Sequence, residues 1–154
     1  MWSEKFREIK CCVIIPTYNN SKTLSSVISG VLKFTDSVIV VNDGSTDGTS
    51  DILKQFQDIT VVTHEVNKGK GIALRTGFKK AVELDLDYAV TIDSDGQHNP
   101  EDLPNFIEKI EKEPGSLIVG ARNMEQSTVP GKSSFGHKFS NFWYKVETGI
   151  DLPD

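Results

Sequence analysis

Apolar residues along this chain fall into two alternating patterns. Short runs at 11–15, 38–41, 59–63, 88–92 and 117–120, interrupted only by threonine or ended by glycine, have the length of buried strands. Between them the spacing becomes helical. From about Ser21 to Phe34, the residues Leu24, Val27, Ile28, Val31 and Leu32 share one side. After the Asn42-Asp43-Gly44 stop, Ser45 or Asp47 can cap a helix that turns Ile52, Leu53 and Phe56 inward. A turn rich in Gly and Lys, Asn67 to Gly71, leads into a helix through about Glu83. Pro100-Glu101-Asp102 opens another in the preferred way, with Pro early and acids in the first turn. A polar loop is expected over 121–136 and a last helix over 138–147.

Strands joined by helices in strict alternation predict an α/β fold: an open, mostly parallel sheet with helices on both faces. Such sheets bind ligands beyond the carboxyl ends of their strands. The residues that follow each strand are therefore the informative ones. They are Pro16-Thr17-Tyr18-Asn19-Asn20, Asn42-Asp43-Gly44-Ser45, Asp93-Ser94-Asp95-Gly96-Gln97 and Gly120-Ala121-Arg122. Three of the four sets carry polar or acidic groups, and all four are expected to converge on one edge.

The length of 154 residues fits one domain, 1–154, able to bury a core without staples. Net charge is −5 and the basic residues are scattered, which excludes an electrostatic nucleic-acid binder. An acidic protein needs a cation or backbone donors to hold an anionic ligand. Cys11 and Cys12 are adjacent in a strand, so they face opposite sides, and a disulfide between them would be strained. They read as reduced core residues, which points to the cytoplasm. No run of about 20 apolar residues spans a bilayer, and residues 1–10 lack a signal-peptide core. The ending, Thr148 to Asp154, reads as a turn leading onward, so a truncated chain is expected.

Asp93-Ser94-Asp95 is the first candidate for chemistry. Two carboxylates at a strand end can share a hard divalent cation that grips diphosphate oxygens. Spacing alone is weak, because 12 aspartates in 154 residues give about one Asp-x-Asp by chance. The chain has a second such pair, Asp85-Leu86-Asp87. Placement separates them: Asp85 and Asp87 precede a strand, where solvated acids are routine, whereas Asp93 and Asp95 follow one. Neither acidic loop is an EF-hand, since His98 and Pro104 stand where one loop needs Gly and Glu, and Lys54 where the other needs Glu.

Asp43 follows four buried apolar residues and could accept the N–H of a uracil or guanine ring. Asp47 is assigned to capping. Asn67-Lys68-Gly69-Lys70-Gly71 offers close backbone approach and, through Lys70, phosphate charge. It is not a dinucleotide fingerprint, because Leu74 replaces the third Gly. Gly131-Lys132-Ser133 fails as a P-loop, with Gln126 in place of the leading Gly. Arg122 could pair with a diphosphate bidentately; a solvated surface role is the alternative. His64, His98 and His137 have no metal-ligand spacing, and no Ser-His-Asp set is readable.

These blocks, in order, resemble the inverting family 2 glycosyltransferases of the GT-A fold, and in particular the dolichyl- or polyprenyl-phosphate sugar transferase branch. The markers are Ile15-Pro16-Thr17-Tyr18-Asn19, Val41 to Asp47, Asn67 to Gly71, Asp93 to His98 with Pro100-Glu101-Asp102, and Gly120-Ala121-Arg122. The resemblance implies a nucleoside pocket lined by Pro16, Tyr18 and Asp43, with Asn20 and Ser94 near the nucleotide. It places Asp93 on the ribose or metal side, Asp95 and Gln97 on Mg2+ or Mn2+, Arg122 on the phosphates, and Lys138 near the donor. Asn20 stands where that branch usually has Glu. The implied donor is a UDP- or GDP-linked sugar and the implied acceptor a lipid phosphate or a glycan. Peripheral membrane association of the full-length protein is also implied. The mechanism would be direct displacement at the anomeric carbon, with no catalytic base nameable within the chain. Competing readings are a nucleotide-sugar-binding module without turnover, a sugar-phosphate nucleotidyltransferase, and a flavodoxin-like signalling domain. The nucleotidyltransferase would need a Gly-rich, Arg-containing loop where Pro16-Thr17-Tyr18 stands.

Overall fold

The first four apolar runs become four parallel strands, β1 (Cys11–Thr17), β2 (Val38–Asn42), β3 (Thr60–Thr63) and β4 (Tyr88–Thr91). They are seen in a computed structural model that describes residues 1–120. The helices are α1 (Trp2–Glu8), α2 (Leu24–Leu32), α3 (Thr49–Leu53), α4 (Lys70–Glu83) and α5 (Leu103–Lys112), the last entered through a 3₁₀ turn at Pro100–Asp102. Strand order is β3-β2-β1-β4. Val13 lies opposite Val38 on one side and Val90 on the other. This is the expected open, all-parallel α/β sheet.

The order carries the functional geometry. The chain builds outward from β1 to β2 to β3, then returns past both to lay β4 on the far side of β1. Right-handed crossovers put α2 and α3 on one face, and the reversal puts α4 on the other. Side chains alternate accordingly. Cys12, Ile14, Ile39 and Val41 form one buried cluster with Ala73 and Ala81 of α4. Val13, Ile15, Val38 and Val40, all buried, point to the opposite face by the period of two. Helix α4 sits close because Gly77 has no side chain: a Cβ there would lie 2.5 Å from the Ile14 Cγ2 methyl.

The contacts divide the chain into two units, Met1–Ser116 and Leu117–Asp154. In the second, the expected strand over 117–120 is absent from every ladder. Leu117 and Val119 are 92% and 68% exposed. Four apolar residues hold strand geometry only where a neighbour accepts their backbone hydrogen bonds, and no described strand does. The loop expected over 121–136 and the helix over 138–147 lie outside the described residues. Helix α2 begins at Leu24 rather than Ser21, because residues 21–23 form a turn that ties loops together. Helix α1 forms within residues 1–10, for which the sequence predicts no element, and its Phe6 is fully buried.

Candidate functional site

At the carboxyl ends of β1, β2 and β4 the chain forms a cleft of about 280 Å3. That volume is far above a packing void and near the lower end of small-molecule sites, roughly 300–1,000 Å3. Its lining comes from all three strand ends and from the start of α4: Pro16, Thr17 and Tyr18; Asp43; Asp93, Ser94 and Asp95; Asn67, Lys70 and Ala73. Seven expected residues thus meet in one place: Pro16, Tyr18, Asp43, Lys70, Asp93, Ser94 and Asp95. The reversal of chain direction at β1 is what opens the gap between them.

The loops around this cleft are stitched to one another. The Asn19 backbone N–H donates to Ser45 Oγ (3.0 Å), and Asn19 Oδ1 accepts the Thr46 N–H (2.8 Å). Asn19 holds a left-handed φ of 49°, which asparagine tolerates better than most residues. Asp47 accepts the N–H groups of Thr49 (2.9 Å) and Ser21 (3.1 Å), so it ties the β1 loop to the start of α3. The Thr49 side chain, opposed by desolvation and aided by those two N–H groups, lowers the pKa of this exposed carboxyl to about 2. Asn20 is not among the lining residues. Its amide donates to Ser94 Oγ (3.1 Å) and accepts from Thr23 Oγ1 (2.7 Å), and Thr23 also donates to the Ser94 carbonyl (2.7 Å). The role the structure displays for Asn20 is to hold the acidic loop in place.

Asp43 is the most constrained member. Its side chain is 3% exposed. Oδ1 receives His64 Nδ1–H at 2.7 Å and the Lys68 N–H at 3.0 Å, and Oδ2 receives the Gly69 N–H at 2.8 Å. Burial raises its pKa, but these bonds outweigh burial and hold it below the usual carboxylate range. The far ring nitrogen of His64 meets Thr76 Oγ1 at 3.0 Å, so the imidazole bridges β3 to α4. Gly44 permits this packing: at φ +70°, a Cβ would lie 2.4 Å from the Val66 carbonyl carbon.

The acidic loop turns back on itself. The Asp93 N–H donates to His98 Nδ1 (3.1 Å), and Asp95 Oδ1 accepts the Gln97 N–H (2.9 Å). Lys70 Nζ lies 2.7 Å from both carboxylate oxygens of Asp93. A cation from α4 therefore already answers the acidic strand end. Gln97 is exposed and is not among the lining residues. Arg122 and Lys138 lie outside the described residues. Asp85, of the other acidic pair, is bonded to Lys10 at 2.6 Å on the surface.

No three His, Cys, Asp or Glu side chains among the described residues cluster closely enough to enclose a metal ion. The donor set that lines the cleft is nonetheless hard: two carboxylates in a site that holds a cation against one of them. Such a set fits Mg2+ or Mn2+ when a ligand's own phosphate oxygens complete the shell. Burial pushes the Cys11 thiol up to about 12 and that of Cys12 up to about 11, so both are inert core residues.

Sequence reasoning missed four residues: His64, Thr76, Thr23 and His98. His64 directly follows β3, which was the only available signal. Thr17 also escaped notice individually; it lines the cleft and its buried Oγ1 has no partner.

A family model described as glycosyl transferase family 2 matches residues 12–149. A UDP-N-acetylglucosamine–dolichyl-phosphate N-acetylglucosaminyltransferase from Methanococcus voltae is 37% identical, over 71% of this chain and 51% of that protein. A polyprenol monophosphomannose synthase from Mycolicibacterium smegmatis is 30% identical, over 92% of this chain and 57% of that protein. Among solved structures, glucosyl-3-phosphoglycerate synthase from Mycobacterium tuberculosis in complex with Mn2+ and UDP-glucose superposes with a TM-score of 0.59. It is 26% identical, and the match covers 74% of this chain and 43% of that one. The chain spans about half the length of the curated relatives it matches.

Proposed function

The chain belongs to glycosyl transferase family 2, and from that premise we propose that it forms the donor-binding part of an enzyme that moves a sugar from a nucleoside diphosphate to an acceptor. The observation that carries this reading is the cleft itself. An apolar and aromatic floor from Pro16 and Tyr18, a buried carboxylate at Asp43, and a pair of carboxylates at Asp93 and Asp95 surround one space. Those groups match the base, the sugar and the charged diphosphate of a nucleotide in turn. Tyr18, 48% exposed, can stack on a base. Lys70 stands beside Asp93, where it can pass to a phosphate oxygen.

Asp93, Asp95 and Gln97 would hold Mg2+ or Mn2+, which would supply charge stabilisation to the departing diphosphate. The relative solved with Mn2+ and UDP-glucose supports this assignment. Inverting displacement at the anomeric carbon is the proposed chemistry. A polyprenyl phosphate acceptor is favoured, because a phosphate is already anionic and needs little help from a base. The relatives named for dolichyl phosphate and polyprenol support it. Among the described residues no helix is long and apolar enough to cross a membrane. The proposed encounter with such a lipid is at the cytoplasmic surface of the bilayer, consistent with the two free thiols.

Because the chain covers about half of its relatives, donor binding is the activity assigned to it by itself. Calorimetric titration of the 154-residue chain with UDP and GDP, with and without Mn2+, tests this. Diphosphate binding is expected to require the metal and to be largely lost in Asp95→Ala. Binding of equal strength without metal would remove the role given to Asp95.

A further inference from the structure

The end of β4 leaves one backbone donor without a ladder partner. The Ile92 N–H donates to the Ile14 carbonyl of β1 at 3.0 Å. The next N–H, that of Asp93, faces away from β1, and β4 is the edge of the sheet among the described residues. His98 answers it: Nδ1 accepts the Asp93 N–H at 3.1 Å. An accepting Nδ1 carries no hydrogen, so the ring hydrogen sits on Nε2.

This contact closes residues 93–98 into a ring that carries both carboxylates of the cleft. Between them Ser94 is fixed from outside, by Asn20 at its hydroxyl and Thr23 at its carbonyl. Asp95 is fixed from within, through the Gln97 N–H and the left-handed turn at Gly96, φ +79°. Asp93 has two supports. One is Lys70, a side chain 61% exposed that can pass to a phosphate. The other is His98, half-buried and bonded to the main chain. Once Lys70 turns to a ligand, His98 is the support that stays. We propose that His98 is a positioning residue for the metal-bearing loop. It is not among the residues that line the cleft, and it acts by holding the Asp93 backbone so that the carboxylate keeps its aim. Removing a group that orients a metal's ligands weakens metal affinity by about 10–100-fold.

This role rests on the proposed metal-assisted donor site, and its test separates the two. The 154-residue chain is titrated calorimetrically in Mn2+ with UDP and GDP, as wild type, His98→Leu and His98→Asn. Asparagine places an acceptor oxygen where Nδ1 stands, whereas leucine keeps bulk and supplies none. His98→Leu is expected to weaken the metal-dependent binding about tenfold or more, and His98→Asn to recover most of that loss. Uridine and guanosine carry no phosphate for a metal to grip, so amide chemical-shift titration with them reads the nucleoside pocket alone. Their binding is expected to be the same in His98→Leu as in wild type. Leucine without effect, asparagine as weak as leucine, or an equal loss for the nucleosides would overturn the positioning role and leave the donor site standing. A wild-type chain that binds neither diphosphate would bring down both. Nitrogen NMR of the wild-type imidazole needs no variant: a His98 hydrogen found on Nδ1 would overturn the role even if His98→Leu does not fold.

Discussion

Asp43→Asn is the sharpest single perturbation of this fold, because it keeps shape and removes charge from a buried hub. Asparagine can turn its amide two ways. With Oδ1 kept toward His64 and Lys68, the new NH2 group faces the Gly69 N–H, donor against donor. With the amide reversed, two donors are opposed instead of one, so the first arrangement is preferred. Hydrogen bonds to a charged acceptor contribute about 1.5–3 kcal/mol and neutral ones about 0.5–1.5. Two bonds therefore weaken by about 1 kcal/mol each, and the Gly69 bond is lost with its half-buried donor unpaired. The expected destabilisation is about 3–4 kcal/mol, a large share of the ~5–15 kcal/mol available to a domain. Urea unfolding followed by circular dichroism should show the midpoint fall by roughly 1 M or more. The pH dependence adds a second check. Bonds from His64, Lys68 and Gly69 hold the folded pKa of Asp43 below its ordinary value in spite of burial. Its contribution is therefore complete above the ordinary carboxylate range and is lost as pH falls below about 4. The gap between wild type and variant should shrink over that acid range. A midpoint shift under about 0.3 M at pH 7, or a gap that widens in acid, would refute the reading of Asp43 as a structural hub.

Three further outcomes follow from other positions. Gly44→Ala puts a Cβ 2.4 Å from the Val66 backbone at a left-handed φ, so a loss of about 3 kcal/mol is expected in urea titration. Gly77→Ala gains about 1 kcal/mol in helix propensity but drives a methyl to 2.5 Å from the stiff Ile14 side chain. The steric cost should win, and differential scanning calorimetry should show a melting temperature lower by about 2–4 °C. Asp47, with a folded pKa of about 2, stabilises the fold above the unfolded value near 4 and loses that effect as pH falls toward 2. Asp47→Ala should flatten the acid limb of the unfolding midpoint between those values; an unchanged limb would mean that its ties to Ser21 and Thr49 contribute nothing.

Much of this molecule is determined by sequence alone. Short apolar runs and helical spacing are local signals, and they specified four strands, the helices between them and the parallel sheet they must make. The rule that open sheets bind at the carboxyl ends of their strands then singled out Pro16, Tyr18, Asp43, Asp93, Ser94 and Asp95, and all six line one cleft. Lys70 was reached the same way, through the turn before α4. What local pattern does not carry is who answers whom across the fold. Asn20 meets Ser94 over a separation of 74 residues, Lys70 meets Asp93 over 23 and His64 meets Asp43 over 21. Those partnerships exist only once three strand ends are level and α4 has packed against the sheet at Gly77. The same limit explains the run at 117–120, which has a strand's composition but no ladder, since a strand is completed by its neighbour's backbone and not by its own side chains. Helix α1 follows suit: it was legible only after Phe6 had a core to enter. Periodicity is a property of neighbours in the chain, whereas hydrogen-bond satisfaction is a property of neighbours in space, and here the second decided how the acidic strand ends are held.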